Sequence, residues 1–259
     1  MSQKCLTLIT IALLFFCVAR CSPKLGEMVL VPAGEFMMGC NEAVDTQCLN
    51  DEKPYHKVSL DAYYIDIYEV TVRQYGACVK AGTCSNPDTG GGCNWSVSDR
   101  KSHPINCVDW NQADSFCKWA GKRLPTEAEW EKAARGTDGR IYPWGNKQAS
   151  CNYAIMNDDG NGCGKDSTWA VGSKKSGASP YGAMDMAGNV AEWVADRYDE
   201  NYYQSSLSNN PTGPWLGEYR ALRGSWWGSD PGALRASHRY RSDPGVRGNN
   251  IGFRCARTP

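Results

Sequence analysis

"HPINCVDWNQADSFCKWAGKRLPTEAEWEKAARG", residues 103–136, is the most regular stretch of a chain otherwise broken by turns. Asp109 stands where a helix N-cap belongs, Ala113, Phe116, Cys117 and Ala120 recur at helical spacing, and Gly121 ends the run. Pro125 interrupts the linker, Thr126 and Glu129 form a capping box, and Trp130, Ala133 and Ala134 give an apolar stripe that stops at Gly136. Glu127, Glu129 and Glu131 cluster near the start of this second helix, where acidic side chains complement the helix dipole, so no acid–base role is assigned to them.

Upstream, "EMVLVPAGEFMMGC" (residues 27–40) alternates apolar positions around a Pro-Ala-Gly turn and predicts a β-hairpin. "HKVSLDAYYIDIYEVTV" (residues 56–72) predicts one strand with Val58, Leu60, Tyr63, Ile65 and Ile67 inward, interrupted by a bulge. Thr71 and Gln74 then cap a short helix that ends near Gly82. Residues 83–102 form a turn-rich loop that needs a staple, and beyond residue 137 "YPWGN", "NDDGNGCG", "SPYG" and "NPTGPW" mark turn after turn. No repeat or domain boundary appears, so short helices and many short strands predict one irregular, loop-rich α+β domain over residues 26–257.

The 259 residues are 41% hydrophobic, enough for one sizeable core. Twenty-eight basic residues balance 28 acidic ones, which excludes a net field drawing the chain to nucleic acid or an anionic membrane; partners must be recognised by local sites. Residues 1–21 carry Lys4 and an apolar run from Leu6 to Val18, the pattern of a secretory signal peptide cleaved after Ala19 or Cys21. Arg20 before Cys21 makes a lipoprotein anchor atypical, and export to a periplasm, cell surface or medium is the expectation. Ten cysteines follow this leader, enough for five bridges in an oxidising compartment. Short loops suggest Cys40 with Cys48, Cys78 with Cys84, Cys93 with Cys107 and Cys151 with Cys163, leaving Cys117 for Cys255, although spacing does not fix the pairing. Zinc is disfavoured because no C-x-x-C pair exists and His56, His103 and His238 are far apart.

Several segments occur in the order seen in the formylglycine-generating enzyme (sulfatase-modifying factor) family: "VPAGEFMMG", "DEKPYHKVSLDAYYIDIYEVT", the 103–136 stretch, "YPWGN", "YGAMDMAGNVAEWVADRY", "RGSWW" and "NNIGFRCAR". The chain resembles that family over nearly all of its length beyond the leader. The resemblance implies a C-type-lectin-like variant fold and oxidation of a protein cysteine to formylglycine by oxygen and copper, the metal held by two cysteines. Counting from "GSWW" and back from "HRYRS" places those two positions at Gly228 and Ser237. Glycine offers no ligand atom and a serine hydroxyl is a hard, poor ligand for Cu(I), so copper is not expected here. The alternative is an oxidoreductase with a non-standard metal arrangement.

The resemblance also implies a cleft lined by Ser225, Trp226 and Asn250, to which Arg235, Ser237, His238, Arg239 and Arg241 could add polar contacts for a protein or peptide, an envelope component among the candidates. The competing reading makes Trp226, Trp227 and Tyr240 core and the arginines a solvated face. A structural calcium is implied at Asp185, Gly188, Val190 and Glu192, and a second at Asn152, Tyr153, Asp159 and Asn161, with Asp166 competing for the acidic position. Cys117–Cys255 matches a family bridge, whereas Ala134 and Ser242 stand where the family's other bridge would be. The family's three-histidine iron site lacks its local spacing, and Ser225 lies in no nucleophile elbow.

Overall fold

A computed structural model describes residues 26–259; the signal-peptide reading for residues 1–21 lies outside the described residues. Strands β1 (Met28–Val31) and β2 (Gly34–Met38) flank the Pro-Ala-Gly turn but do not pair with each other. β2 pairs antiparallel with β3 (His56–Leu60), and β1 pairs with β4 (Tyr63–Asp66). The expected hairpin is therefore two nested pairs, and the expected bulged strand is two strands in different sheets. The break falls at Asp61 and Ala62, where Asn210 Oδ1 accepts from the Asp61 amide at 2.9 Å. The two-residue break shifts the alternation by one position, so that Val58 and Leu60 on β3 and Tyr63 and Ile65 on β4 are all buried.

The helices follow their caps. Helix α1 (Val72–Lys80) has the Thr71/Gln74 capping box, α2 (Trp110–Trp119) an Asp109/Gln112 box and α3 (Glu127–Arg135) the Thr126/Glu129 box. Each box satisfies backbone N–H groups that a helix start leaves open. A four-stranded sheet closes the domain, ordered β7 (Tyr240–Ser242), β6 (Arg220–Arg223), β5 (Ala191–Arg197) and β8 (Ile251–Phe253). The short β9 (Ala256–Arg257) joins β4.

Tryptophans tie helices to β5. Trp193 is fully buried and donates to Val108 O at 3.0 Å, Trp110 donates to Val194 O at 2.8 Å, and buried Trp130 on α3 donates to Glu192 at 2.8 Å. Each ring thus fills core volume while its one donor is satisfied. Five disulfides join Cys40–Cys48, Cys78–Cys84, Cys93–Cys107, Cys151–Cys163 and Cys117–Cys255, a density suited to an oxidising compartment. Among the described residues no helix is long and apolar enough to cross a membrane.

The Cys117–Cys255 bridge spans a sequence separation of 138 and ties α2 to the segment between β8 and β9. Replacing both cysteines by serine is expected to lower the unfolding free energy by about 2–5 kcal/mol in non-reducing urea denaturation, because so long a loop constrains the unfolded chain strongly. An unchanged midpoint would contradict that role.

Candidate functional site

β6 ends at Arg223, and the chain turns through Gly224 and Ser225, both at positive φ (86° and 64°). At Gly224 a Cβ would sit 2.8 Å from the Trp130 ring, so glycine is required by contact as well as by conformation. Ser225 is fully buried; its hydroxyl donates to Ser229 Oγ at 2.6 Å and lies 3.5 Å from the Tyr240 hydroxyl. Trp226 and Trp227 are half-buried and meet edge to face, their centroids 4.9 Å apart. Gly228 lies beneath the Trp226 ring, which would have to move for any side chain there.

Ser237 faces away from solvent. Its hydroxyl donates to Glu52 Oε2 at 3.1 Å and lies 3.3 Å from Arg235 Nη1. Arg235 is 3% exposed and makes a bidentate pair with Glu52 at 2.6 and 2.7 Å, with Asp45 at 3.1 Å. Burial pushes the Glu52 carboxyl up against the opposing pull of Arg235. Arg239 is equally buried: Nε and Nη2 reach Glu127 at 2.8 and 3.0 Å, Nη1 donates to Asp51 O, and the guanidinium lies 4.1 Å from the Tyr203 ring centroid. Arg223 binds Glu127 at 2.9 Å and Glu131 at 2.8 Å and also donates to Ala236 O.

These contacts correct two expectations. Arg235, Ser237 and Arg239 belong to buried ion pairs, neither a cleft wall nor a solvated face. Glu127 and Glu131 do more than complement a helix dipole, since they anchor Arg223, Arg239 and Arg135. Burial opposes ionisation of Glu127, but Arg239 and Arg223 outweigh it and hold its carboxyl below the ordinary value. Removing one partner from such a pair strands a buried charge, at about 3–5 kcal/mol. Arg241 is exposed and Asn250 half-buried.

A groove of about 1010 Å³ opens beside this network, its lining including Cys40, Asp51, Lys53, Tyr55, Glu200 and Gln204. It contains none of residues 225–250. Asp51 connects the two regions, because its carbonyl accepts from Arg239 and its carboxylate from the Tyr198 hydroxyl at 2.6 Å.

The third feature lies behind β5. Arg254 clasps Glu192 at 2.6 and 2.7 Å, and Glu192 also accepts from Trp130. Asp185, at positive φ (56°), accepts from Gly172 N at 2.5 Å. Glu69 lies against it; its Oε2 accepts from Asn189, while Oε1 is buried with no hydrogen-bond partner. Burial pushes Asp185 up to about 6, and burial together with the charges of Asp185 and Glu192 raises the Glu69 carboxyl well above its ordinary value. In the second loop Asn152 and Asp159 are exposed, the Tyr153 carbonyl packs on Gly177, and Asn161 donates to Asp166 at 3.3 Å, bringing the competing aspartate to Asn161.

The sulfatase-modifying factor enzyme 1-like domain model matches residues 17–259. The chain belongs to this family. It is 32% identical to the formylglycine-generating enzyme of Streptomyces coelicolor, over 88% of each chain. It is 36% identical to the serine/threonine-protein kinase pkn1 of Chlamydia pneumoniae over 91% of this chain, but spans only 38% of that relative's length. Among solved structures, PvdO from Pseudomonas aeruginosa superposes with a TM-score of 0.78 at 31% identity, covering 90% of this chain and 95% of that one. The irregular α+β architecture is thus the family's own.

Sequence reasoning missed Glu52, Asp45, Arg223, Arg254 and Glu69, whose partners lie far along the chain. The one available signal was unspent charge, in acids and arginines inside otherwise apolar runs. His238 packs against Tyr240 at 4.4 Å, and its Nδ1 is buried without a partner. Burial, then the charges of Arg235 and Arg223, lower it from 6.5 to about 4. The unfolded chain therefore binds a proton in this window that the folded protein refuses, so stability falls as pH drops from 6.5 to about 4. His103, lowered chiefly by burial, acts in the same direction. His238→Gln is expected to flatten this slope in denaturation curves across that pH range; an unchanged slope would contradict the assignment.

Proposed function

We propose that this member of the family lacks cysteine-to-formylglycine oxidation and serves as an exported module that binds a protein or peptide. One observation carries the reading: all ten cysteines among the described residues are held in disulfides, while Gly228 and Ser237 occupy the two positions the family resemblance assigns to copper. Cu(I) requires soft ligands, and neither position supplies one. Room for a metal is also short, given the Trp226 ring over Gly228 and the Glu52 contact of Ser237. The groove beside Asp51 carries Glu42, Asp51 and Glu200 against Lys53, which favours a basic peptide segment. Incubated with a sulfatase-motif peptide, copper and oxygen, the purified protein is expected to yield no aldehyde by mass spectrometry. Formylglycine formed at the rate of the active relatives would overturn the reading.

Calcium is the cofactor this reading includes. Glu69, Asp185 and Glu192 are three buried carboxylates in the field of one guanidinium, Arg254, which clasps Glu192, and Glu69 Oε1 lacks a hydrogen-bond partner, so a hard cation suits the unmet charge. Asp185 and Glu192 with the Gly188 and Val190 carbonyls would hold the ion, Glu192 while also accepting from Arg254 and Trp130, and Glu69 would add charge beside Asp185. Bound there, it would lock the β5 entry loop and supply no redox chemistry. A chelator is expected to lower the thermal midpoint of the native protein, with calcium restoring it and Asp185→Asn abolishing the response. A midpoint indifferent to chelation would remove calcium from the account.

A further inference from the structure

The loop that closes the Cys40–Cys48 disulfide holds a third ligand-bearing residue against both sulfurs. Cys40 Sγ lies 3.3 Å from Asp45 Oδ2, and Cys48 Sγ lies 3.2 Å from Asp45 O. Among the described residues searched, Cys40, Asp45 and Cys48 form the one group of three His, Cys, Asp or Glu side chains whose ligand atoms all fall within 4.8 Å of one another. At the other four disulfides no carboxylate completes such a group, although Asp158 Oδ2 accepts from the Cys151 amide at 2.8 Å.

We propose that this loop is a redox-gated metal site. When a dithiol reductant opens the disulfide, Cys40 Sγ, Cys48 Sγ and an Asp45 carboxylate oxygen bind one thiophilic divalent cation, with zinc as the reference ion. In the opening step two electrons and two protons pass from the reductant to the protein, giving two cysteine thiols and the reductant's own disulfide. Metal binding then displaces the two thiol protons, and a two-electron oxidant would expel the ion and restore the bridge.

Two further observations support the site. Asp45 and Glu52 are both buried and face the single guanidinium of Arg235, so the cluster already carries surplus negative charge before any thiolate forms. A divalent cation offsets the two thiolates that reduction adds, which lone thiolates in this surrounding would not tolerate. Access is the second: Cys40, itself buried, is among the residues that line the 1010 Å³ groove, Cys48 is half-buried, and most of the loop between them is exposed. Two sulfurs and one oxygen leave a fourth tetrahedral position for water, the set that zinc accepts. This site borders the groove of the peptide reading but depends neither on that reading nor on calcium.

The test uses the folded protein after brief anaerobic treatment with a dithiol that is then removed, with alkylation and peptide mapping to identify the opened bridge. Titration with Co²⁺ is expected to give a thiolate-to-metal charge-transfer band saturating at one equivalent, displaced by Zn²⁺. The untreated protein and a Cys40→Ser/Cys48→Ser variant should give no band. Asp45→Asn, which leaves the disulfide intact, should weaken cobalt binding by about tenfold or more. The proposal fails if mapping finds residues 40 and 48 still bridged while other disulfides have opened. It also fails if the reduced pair binds no cobalt, if the band survives in the double variant, or if Asp45→Asn binds as tightly as the parent.

Discussion

Arg223 is fully buried at the end of β6, and its guanidinium is shared between Glu127 and Glu131 on α3. A charge so deep is tolerable only when fully partnered, so sheet and helix can dock in only one way. Around this pair the rest is arranged: Arg239 takes the other side of Glu127, Glu131 reaches Gly39 N at 2.8 Å, and Arg135 closes the circuit onto Gly39 O. Whether such a network adds net stability is secondary. Its effect is to specify which elements meet, since a shifted helix would strand several charges together.

That constraint also decides what became of the site. Position 237, one of the two that the family resemblance assigns to copper, is part of a polar lattice in which Ser237, Arg235, Glu52 and Asp45 satisfy one another. Placing a thiolate there would add negative charge beside two buried carboxylates, so recovering the family's chemistry requires rebuilding the lattice rather than exchanging one residue. The Cys40–Cys48 loop meets the same guanidinium nitrogen, with Cys40 Sγ 3.7 Å and Ser237 Oγ 3.3 Å from Arg235 Nη1. Sulfur is thus present close to the old position but held by a different segment.

Much of the fold was legible in residue order. The Thr71/Gln74 and Thr126/Glu129 capping boxes and the Asp109 cap were readable because a cap is a contact between near neighbours in sequence, and the inward residues of β3 and β4 because alternation is local. Strand pairing was not: the Pro-Ala-Gly turn has the signature of a hairpin, yet β1 pairs from Met28↔Asp66 to Val31↔Tyr63 and β2 from Gly34↔Leu60 to Met38↔His56, each with a strand well downstream. A turn fixes a change of direction, and only the whole sheet fixes which edge is free to pair.

The site divided along the same line. The identities at 228 and 237, the absence of paired thiols in the segment around them, and the acids and arginines were all written in the chain, and with them the loss of soft copper ligands. Which arginine met which acid was decided only on folding, because guanidinium–carboxylate pairs such as Arg235–Asp45 join residues up to 190 positions apart and leave no periodic trace. Burial then turned side chains that resemble a ligand-binding cluster into internal struts. Local sequence records short-range geometry, whereas the fate of a charge depends on the dielectric and the partners that the finished fold places around it.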